Sequence, residues 1–233
     1  MYVYKITPAQ TALTVYADFI NQTMNISLKS IKFLLTQSLP GLQSHLKMAP
    51  PSRKAELEAA REAIPYAKKS AVMILLFHEA EKLKIVFIRR SLYVGIHSGQ
   101  MAFPGGRFEE SDVTVEETAF REIEEEIGIT RDKIEMLGRI SDIYVPPSNF
   151  LISVFVGYLS EKPTYNPDER EVAEIVEVDF EEFLNAQNIT VKDFFVPSAN
   201  QTVTAPCFQT TQCDIWGASA MVVCELVDIL TKH

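Results

Sequence analysis

The chain has 233 residues, 47% of them hydrophobic, enough to bury one sizeable core with a helical appendage. Its net charge of −9 excludes affinity built on neutralising a nucleic-acid backbone, so an anionic partner must be met by metal ions or a local basic patch. No stretch approaches the roughly 18 apolar residues of a membrane span, no basic-then-apolar leader opens the chain, and Cys207, Cys213 and Cys224 lack metal-ligand spacing; a cytoplasmic protein with free, buried thiols is expected.

From Thr7 to about Leu46 the apolar residues fall mostly at helical spacings, Leu13, Tyr16, Phe19 and Ile20 marking one helix and Ile26 to Leu35 a second. Leu39-Pro40-Gly41 ends the second helix, Met48 to Pro51 is an extended linker, and the Ala- and Glu-rich run Arg53 to Ala63 predicts a third. Residues 1–68 therefore read as a helical extension, covering one face of the core or acting as a lid or dimer contact. The domain proper, 69–233, opens with two apolar runs, Ala71 to Phe77 and Lys84 to Ile88, joined by a charged turn as a hairpin in a mixed sheet.

Arg89 and Arg90 follow, ahead of a glycine-rich stretch. Arginine offers a planar fork of donors and glycine lets backbone amides approach, so the pair suits an anion with several phosphates. The segment Gly105-Gly106-Arg107-Phe108-Glu109-Glu110-Ser111-Asp112, a spacer of eight residues and then Arg121-Glu122-Ile123-Glu124-Glu125-Glu126-Ile127-Gly128-Ile129 read as a loop, a helix and a stop at Gly128 in the left-handed conformation. At about 100° per residue, Glu122, Glu125 and Glu126 share one face of that helix, while Glu116, Ala119, Phe120, Ile123 and Ile127 form a mainly apolar stripe for seating on a sheet. Clustered carboxylates repel one another unless they hold a cation, and Mg²⁺ is a hard ion that prefers such oxygens and bridges to phosphate. Arg121, four residues before Glu125, is placed to hold its carboxylate in one rotamer.

Further along, Ile134 to Ile140 and Leu151 to Leu159 read as strands, the second preceded by the loop Tyr144 to Phe150. Asn166 to Ile175 brings a second acidic group, Asp179 is a candidate cap for a helix from Phe180 with Glu182 completing a capping box, and Asp214 to Leu230 reads as an apolar-faced helix. The apolar surface of this last helix and of the amino-terminal helices points to a homodimer.

The central segment resembles the Nudix box: Gly, five residues, Glu, seven residues, Arg-Glu, an aliphatic residue, any residue, Glu-Glu, any residue, Gly, aliphatic. Gly106, Arg121, Glu122, Ile123, Glu125, Glu126, Gly128 and Ile129 match, while Asp112 replaces the first Glu and eight residues separate it from Arg121. Both departures resemble the coenzyme A diphosphatase branch of the Nudix hydrolases. So does the run ahead of the box, in which Arg90, Ser91, His97, Gly99, Gln100, Phe103, Pro104, Gly105 and Gly106 match but Gly95 stands where the branch generally has Arg. Pro147-Ser148-Asn149-Phe150, the Glu171-Val172-Ala173-Glu174 run and Ile215-Trp216-Gly217-Ala218 are further similarities, Asn149 taking a Gly position.

The resemblance implies an α/β fold in which a mixed sheet lies between helices, and metal-dependent hydrolysis of a diphosphate bond. For coenzyme A or its thioesters the products are 3',5'-ADP and 4'-phosphopantetheine or its acyl form. Gly106, Glu122, Glu125 and Glu126 are the implied ligands of Mg²⁺ or Mn²⁺, with Arg121 as orienter. Arg89, Arg90, Ser91 and Gln100 are the substrate-binding candidates. Glu174 is the candidate for an additional ligand or base, with Glu171 close behind. Another dinucleotide or nucleotide-sugar diphosphate as substrate remains open, as does a nucleotide-binding module without turnover.

Overall fold

A computed structural model describes residues 26–60, 63–92 and 97–231; the first expected helix, Leu13 to Ile20, and Gly95 lie outside the described residues. At the centre, β1 (Lys68–Glu79) turns through Ala80 and Glu81, both at positive φ, into the antiparallel β2 (Lys82–Arg90). The other edge of β1 pairs in parallel with β7 (Phe150–Leu159), Val72 beside Val154. Such strands are covered on both faces, which is why they read as unbroken apolar runs. β3 (Met101–Ala102) and β8 (Val172–Asp179) extend the sheet from β2, β4 (Gly105–Arg107) pairs with β1, and β5 (Ile134–Arg139) and β6 (Ile143–Val145) pair with β7.

Successive side chains of a strand point to opposite faces, so the sheet sorts its apolar residues into two cores. Met73, Leu75 and Phe77 of β1, with Val86 and Ile88 of β2, meet Ala119, Phe120, Ile123 and Ile127 of α4 (Val115–Ile127). Ile74, Leu76, Ile85 and Phe87 point the other way, beneath α6 (Gly217–Leu230) and the amino-terminal helices α1 (Leu28–Leu35) and α2 (Leu42–Met48). This is the mixed sheet between helices that the resemblance implies.

The amino-terminal helices are tied to α6 by polar contacts as well as packing. Glu225, fully buried, accepts hydrogen bonds from the Gly41 N–H at 3.0 Å and from His45 Nε2 at 2.7 Å, and Lys47 reaches Asp228 at 2.7 Å. Ile31, Met48, Ala49 and Leu226 share one core. Part of the apolar surface that pointed to a homodimer is thus used inside the chain, while Phe33 and Leu42 remain exposed on α1 and α2.

Other details correct the sequence reading. A helix, α2, begins where the turn at Gly41 was expected to end one, and α3 (Lys54–Glu58) is short. Gly105–Arg107 is a strand, and Asp214–Trp216 is β11, so α6 starts only at Gly217. Asp179 caps nothing: Lys82 and Lys84 each pair with it at 2.6 Å, and α5 (Glu181–Leu184) has no side-chain cap. The hairpin β9 (Ile189–Val196) and β10 (Gln201–Gln209) joins β11 in a separate three-stranded sheet that carries no motif in the sequence. Among the described residues no helix is long and apolar enough to cross a membrane.

Candidate active site

The site is anchored by α4, whose ends are fixed by ordinary capping chemistry. Thr114 Oγ1 accepts from the Glu117 N–H at 3.2 Å, and Gly128 closes the helix at φ 73°, in the left-handed region. With the apolar stripe seated on the sheet, Glu122 and Glu126 stand one turn apart at the edge of β4. Glu126 is only 1% exposed and accepts the Gly105 N–H at 2.8 Å, with Arg90 Nη1 3.4 Å away. Glu122 lies so close to Gly106 that a Cβ there would stand 2.4 Å from its carboxylate, so any larger residue would push that carboxylate out of place.

Carboxylate oxygens of Glu122, Glu126 and Glu171 lie within 4.8 Å of one another. Glu171 reaches this point because its loop is stitched to the end of α4: the Asn166 N–H donates to the Ile127 carbonyl at 2.9 Å and the Asp168 N–H to the Glu126 carbonyl at 3.1 Å. A side chain at position 128 would collide with Asn166 at 2.7 Å, so Gly128 serves this docking as well as the helix stop. Glu174 is not part of the group. It sits on β8 in register with Arg89 and pairs with it at 2.8 Å, which occupies both residues on the strand surface.

Arg121 organises the flank. Its Nε and Nη2 grip Asp112 at 2.9 and 3.0 Å, Nη1 donates to Glu122 at 3.0 Å and Glu125 at 2.9 Å, and Nη2 also reaches the Arg107 carbonyl at 3.1 Å. Asp112 accepts in addition from Thr118 Oγ1 and the Glu109 N–H. These bonds, the Arg121 contact foremost, hold the Asp112 carboxyl well below its ordinary pKa against the opposing effect of burial. The residue that departs from the Nudix pattern is therefore the one that clamps the orienting arginine. Glu125 is held by Arg121 but is 60% exposed and stands outside the group of three.

Ser91 supports the site from behind: its N–H donates to the Glu171 carbonyl at 2.8 Å and its Oγ to the Glu169 carbonyl at 3.1 Å. The Gln100 carbonyl accepts the Arg90 N–H at 3.1 Å, and its side-chain oxygen lies 3.1 Å from His97 Nδ1. Burial pushes Glu126 up to about 8, although the Gly105 N–H and Arg90 oppose it, and burial likewise raises Glu122 against Arg121. Two buried neighbouring carboxylates that resist becoming anions form a donor set a hard divalent cation suits, since its charge relieves both burial and mutual repulsion.

Beside the glycine strand opens a cavity of about 590 Å³. Gly105, Gly106 and Arg107 form its wall nearest the carboxylates, and Trp216, Val203 and Pro147 contribute to its apolar remainder. Phe194 stacks on Trp216 with ring centroids 4.4 Å apart and planes 6° apart, so the indole is fixed before any ligand arrives.

A glycine strand that exposes its backbone to a cavity, next to a helix that brings Glu122 and Glu126 to one point beside Glu171, is a frame for metal-assisted attack on phosphate anhydrides. The NUDIX domain family model matches residues 67–197, more than half of the chain, which belongs to the Nudix family. The protein is a Nudix hydrolase acting on nucleoside diphosphate derivatives, and such hydrolases generally use divalent metal ions. The chain is 28% identical over 176 residues to the uncharacterized Nudix hydrolase NudL of Pectobacterium atrosepticum, covering 73% of this chain and 87% of the relative. It is 30% identical over 173 residues to Nudix hydrolase 22, chloroplastic, of Arabidopsis thaliana, covering 71% and 56%. Among solved structures, the MutT protein of Methanosarcina mazei Go1 aligns with a TM-score of 0.47 at 18% identity, covering 71% of this chain and 96% of that one.

Proposed function

We propose that the protein hydrolyses the diphosphate bond of coenzyme A or its thioesters, giving 3',5'-ADP and 4'-phosphopantetheine or its acyl form. The observation that carries this reading is the cavity beside β4, which combines arginines with a largely apolar wall and, among the described residues lining it, no carboxylate. A long, weakly polar pantetheine arm attached to a diphosphate matches that lining, whereas the hydroxyl-rich half of a nucleotide sugar would leave its hydrogen-bonding groups facing apolar walls.

In this reading Glu122, Glu126 and the Gly106 carbonyl hold Mg²⁺ or Mn²⁺, and Glu171 takes the part first given to Glu174. A divalent cation bound there neutralises phosphate oxygens and lowers the pKa of bound water. Glu125, kept in place by Arg121 yet open to solvent, is the proposed acceptor of the water's proton. Arg90 and Gln100 line the substrate cavity, while Ser91 and Arg89 act through the loop and strand that carry Glu171 and Glu174.

A panel assay tests this reading: coenzyme A, an acyl thioester, ADP-ribose, a nucleotide sugar and a dinucleoside polyphosphate with Mg²⁺ and Mn²⁺, products separated by chromatography. The expected result is the highest kcat/KM for coenzyme A compounds, with 3',5'-ADP as product. Preference for ADP-ribose or the nucleotide sugar, with coenzyme A left intact, overturns it.

A further inference from the structure

Three fixed positive charges enter the cavity, Arg53, Arg90 and Arg107, and no lysine or acid among the described residues lines it, although the chain as a whole carries −9. Low-dielectric walls with one sign of charge concentrate an anion of the opposite sign. Two of the three stand at the catalytic end: Arg90 faces Glu126, and Arg107 follows Gly106 on β4. These suffice for the diphosphate that is cleaved. Arg53 comes from a different part of the chain, ahead of the region matched by the family model, and shares its stretch of wall with Pro50 and Leu57.

Arg53 is built to stay in place. It ends a 3-10 turn that begins with Pro51 and is closed by its own N–H donating to the Pro50 carbonyl at 2.8 Å, and two successive prolines stiffen the approach. Leu57, buried in the core, anchors the helix that follows. Arg53 Nη1 donates to Glu56 at 2.9 Å, and among the described residues Nε and Nη2 have no hydrogen-bond partner, an edge of the fork open to a second anion; the side chain is 29% exposed. We infer that Arg53 is a specificity-determining residue that takes a phosphate of the substrate remote from the scissile diphosphate. On the coenzyme A reading, on which this rests, that group is the 3'-phosphate of the ribose.

The test compares coenzyme A with 3'-dephospho-coenzyme A on the full chain. A charge-assisted contact of this kind is worth about tenfold or more in apparent affinity. Wild type is expected to favour coenzyme A by that factor through KM. Arg53→Gln should remove the preference by raising KM for coenzyme A alone, with kcat and thermal midpoint unchanged, and Arg53→Lys should restore part of it. Inhibition by 3',5'-ADP should weaken in Arg53→Gln while inhibition by 5'-AMP does not. If wild type cleaves both compounds equally well, or if Arg53→Gln affects both equally, the role of Arg53 is wrong and the coenzyme A reading stands. If wild type cleaves neither compound but hydrolyses another member of the panel, the substrate reading fails and this inference with it.

Discussion

The two sides of β4 are built by opposite rules. On the side of α4, most of what matters is local: Gly106, Asp112, Arg121, Glu122, Glu125, Glu126 and Gly128 occupy one short segment, joined by Glu171 and, from the end of β2, Arg90. On the cavity side no two walls are neighbours in sequence, since Arg53, Pro147, Val203 and Trp216 meet only after the whole chain has folded. The chemistry therefore comes as a cassette, because ligands and their positioning arginine must hold fixed relative geometry. Selectivity comes from tertiary assembly, where loops and appendages can change without disturbing that geometry.

If this division is right, damage on the α4 side appears in kcat and damage on the cavity side in KM. The largest effect is expected for Glu126→Gln or Glu125→Gln, each lowering kcat by at least about a hundredfold in a protein that remains folded. Near wild-type turnover in either variant, measured with saturating Mg²⁺, removes the role assigned to that carboxylate. Activity lost to EDTA and regained with Mg²⁺ should accompany the wild type.

The glycine pair sharpens the contrast at single-atom scale. A methyl group at Gly106 meets a carboxylate, whereas one at Gly105 meets the Ala71 carbonyl at 2.3 Å with φ at 149°. Gly106→Ala should cost roughly tenfold or more in activity with a small change in thermal midpoint, and Gly105→Ala should cost about 3 kcal/mol or more of stability. Denaturant melts and kinetics on the two proteins measure both quantities, and equal unfolding midpoints would refute the distinction.

Smaller effects are expected from Trp216→Ala, which removes the ring stacked on Phe194. Trp216 also lines the cavity, and losing an apolar contact with substrate of about one methylene equivalent, about 0.8 kcal/mol, should raise KM for an acyl thioester by roughly threefold to tenfold while kcat holds. A fall in kcat at constant KM would place Trp216 with the chemistry instead.

The gentlest probe is pH. Asp112 has a folded pKa below its unfolded value of about 3.9, so its stabilising contribution is complete above that pH and drains away as pH falls toward the folded value. Thermal midpoints of wild type and Asp112→Asn should differ at pH 7 and converge as pH is lowered below about 4. A gap that stays constant across that range would mean the Arg121 contact does not depend on the charge of Asp112.

What the sequence revealed follows the same division. The helix, its left-handed stop at Gly128 and the pairing of Arg121 with Glu125 were legible because they depend on spacings within four residues. The strand at Gly105–Arg107 looks like loop in the sequence, since its pairing with β1 is a long-range contact that glycine-rich sequence does not signal. That Glu171 and not Glu174 lies beside Glu122 and Glu126 is a matter of register, which the sequence does not display: Arg89 stands opposite Glu174, while Glu171 sits just ahead of β8 on a loop docked against Gly128. A signal existed in Asn166-Pro167-Asp168, a turn sequence placed to bend the chain back to α4. Nothing comparable marked β9 and β10, whose exposed Ile189, Val191 and Phe195 blur the usual distinction between buried and solvent faces.

The contact between His45 and Glu225 spans 180 residues and fixes the order in which the protein can be completed. A ribosome adding about 5–20 residues per second leaves roughly 9 to 36 s between the two residues. During that interval the sheet can already hold α4 on one side, while Ile74, Leu76, Ile85 and Phe87 on the other have only the amino-terminal helices and still wait for α6. The nascent chain is therefore unevenly covered, with its catalytic cassette in place and its greasy face only partly sheltered. Chaperone capture is expected in that window, and a message truncated before Gly217 should yield aggregate in place of a weakened enzyme.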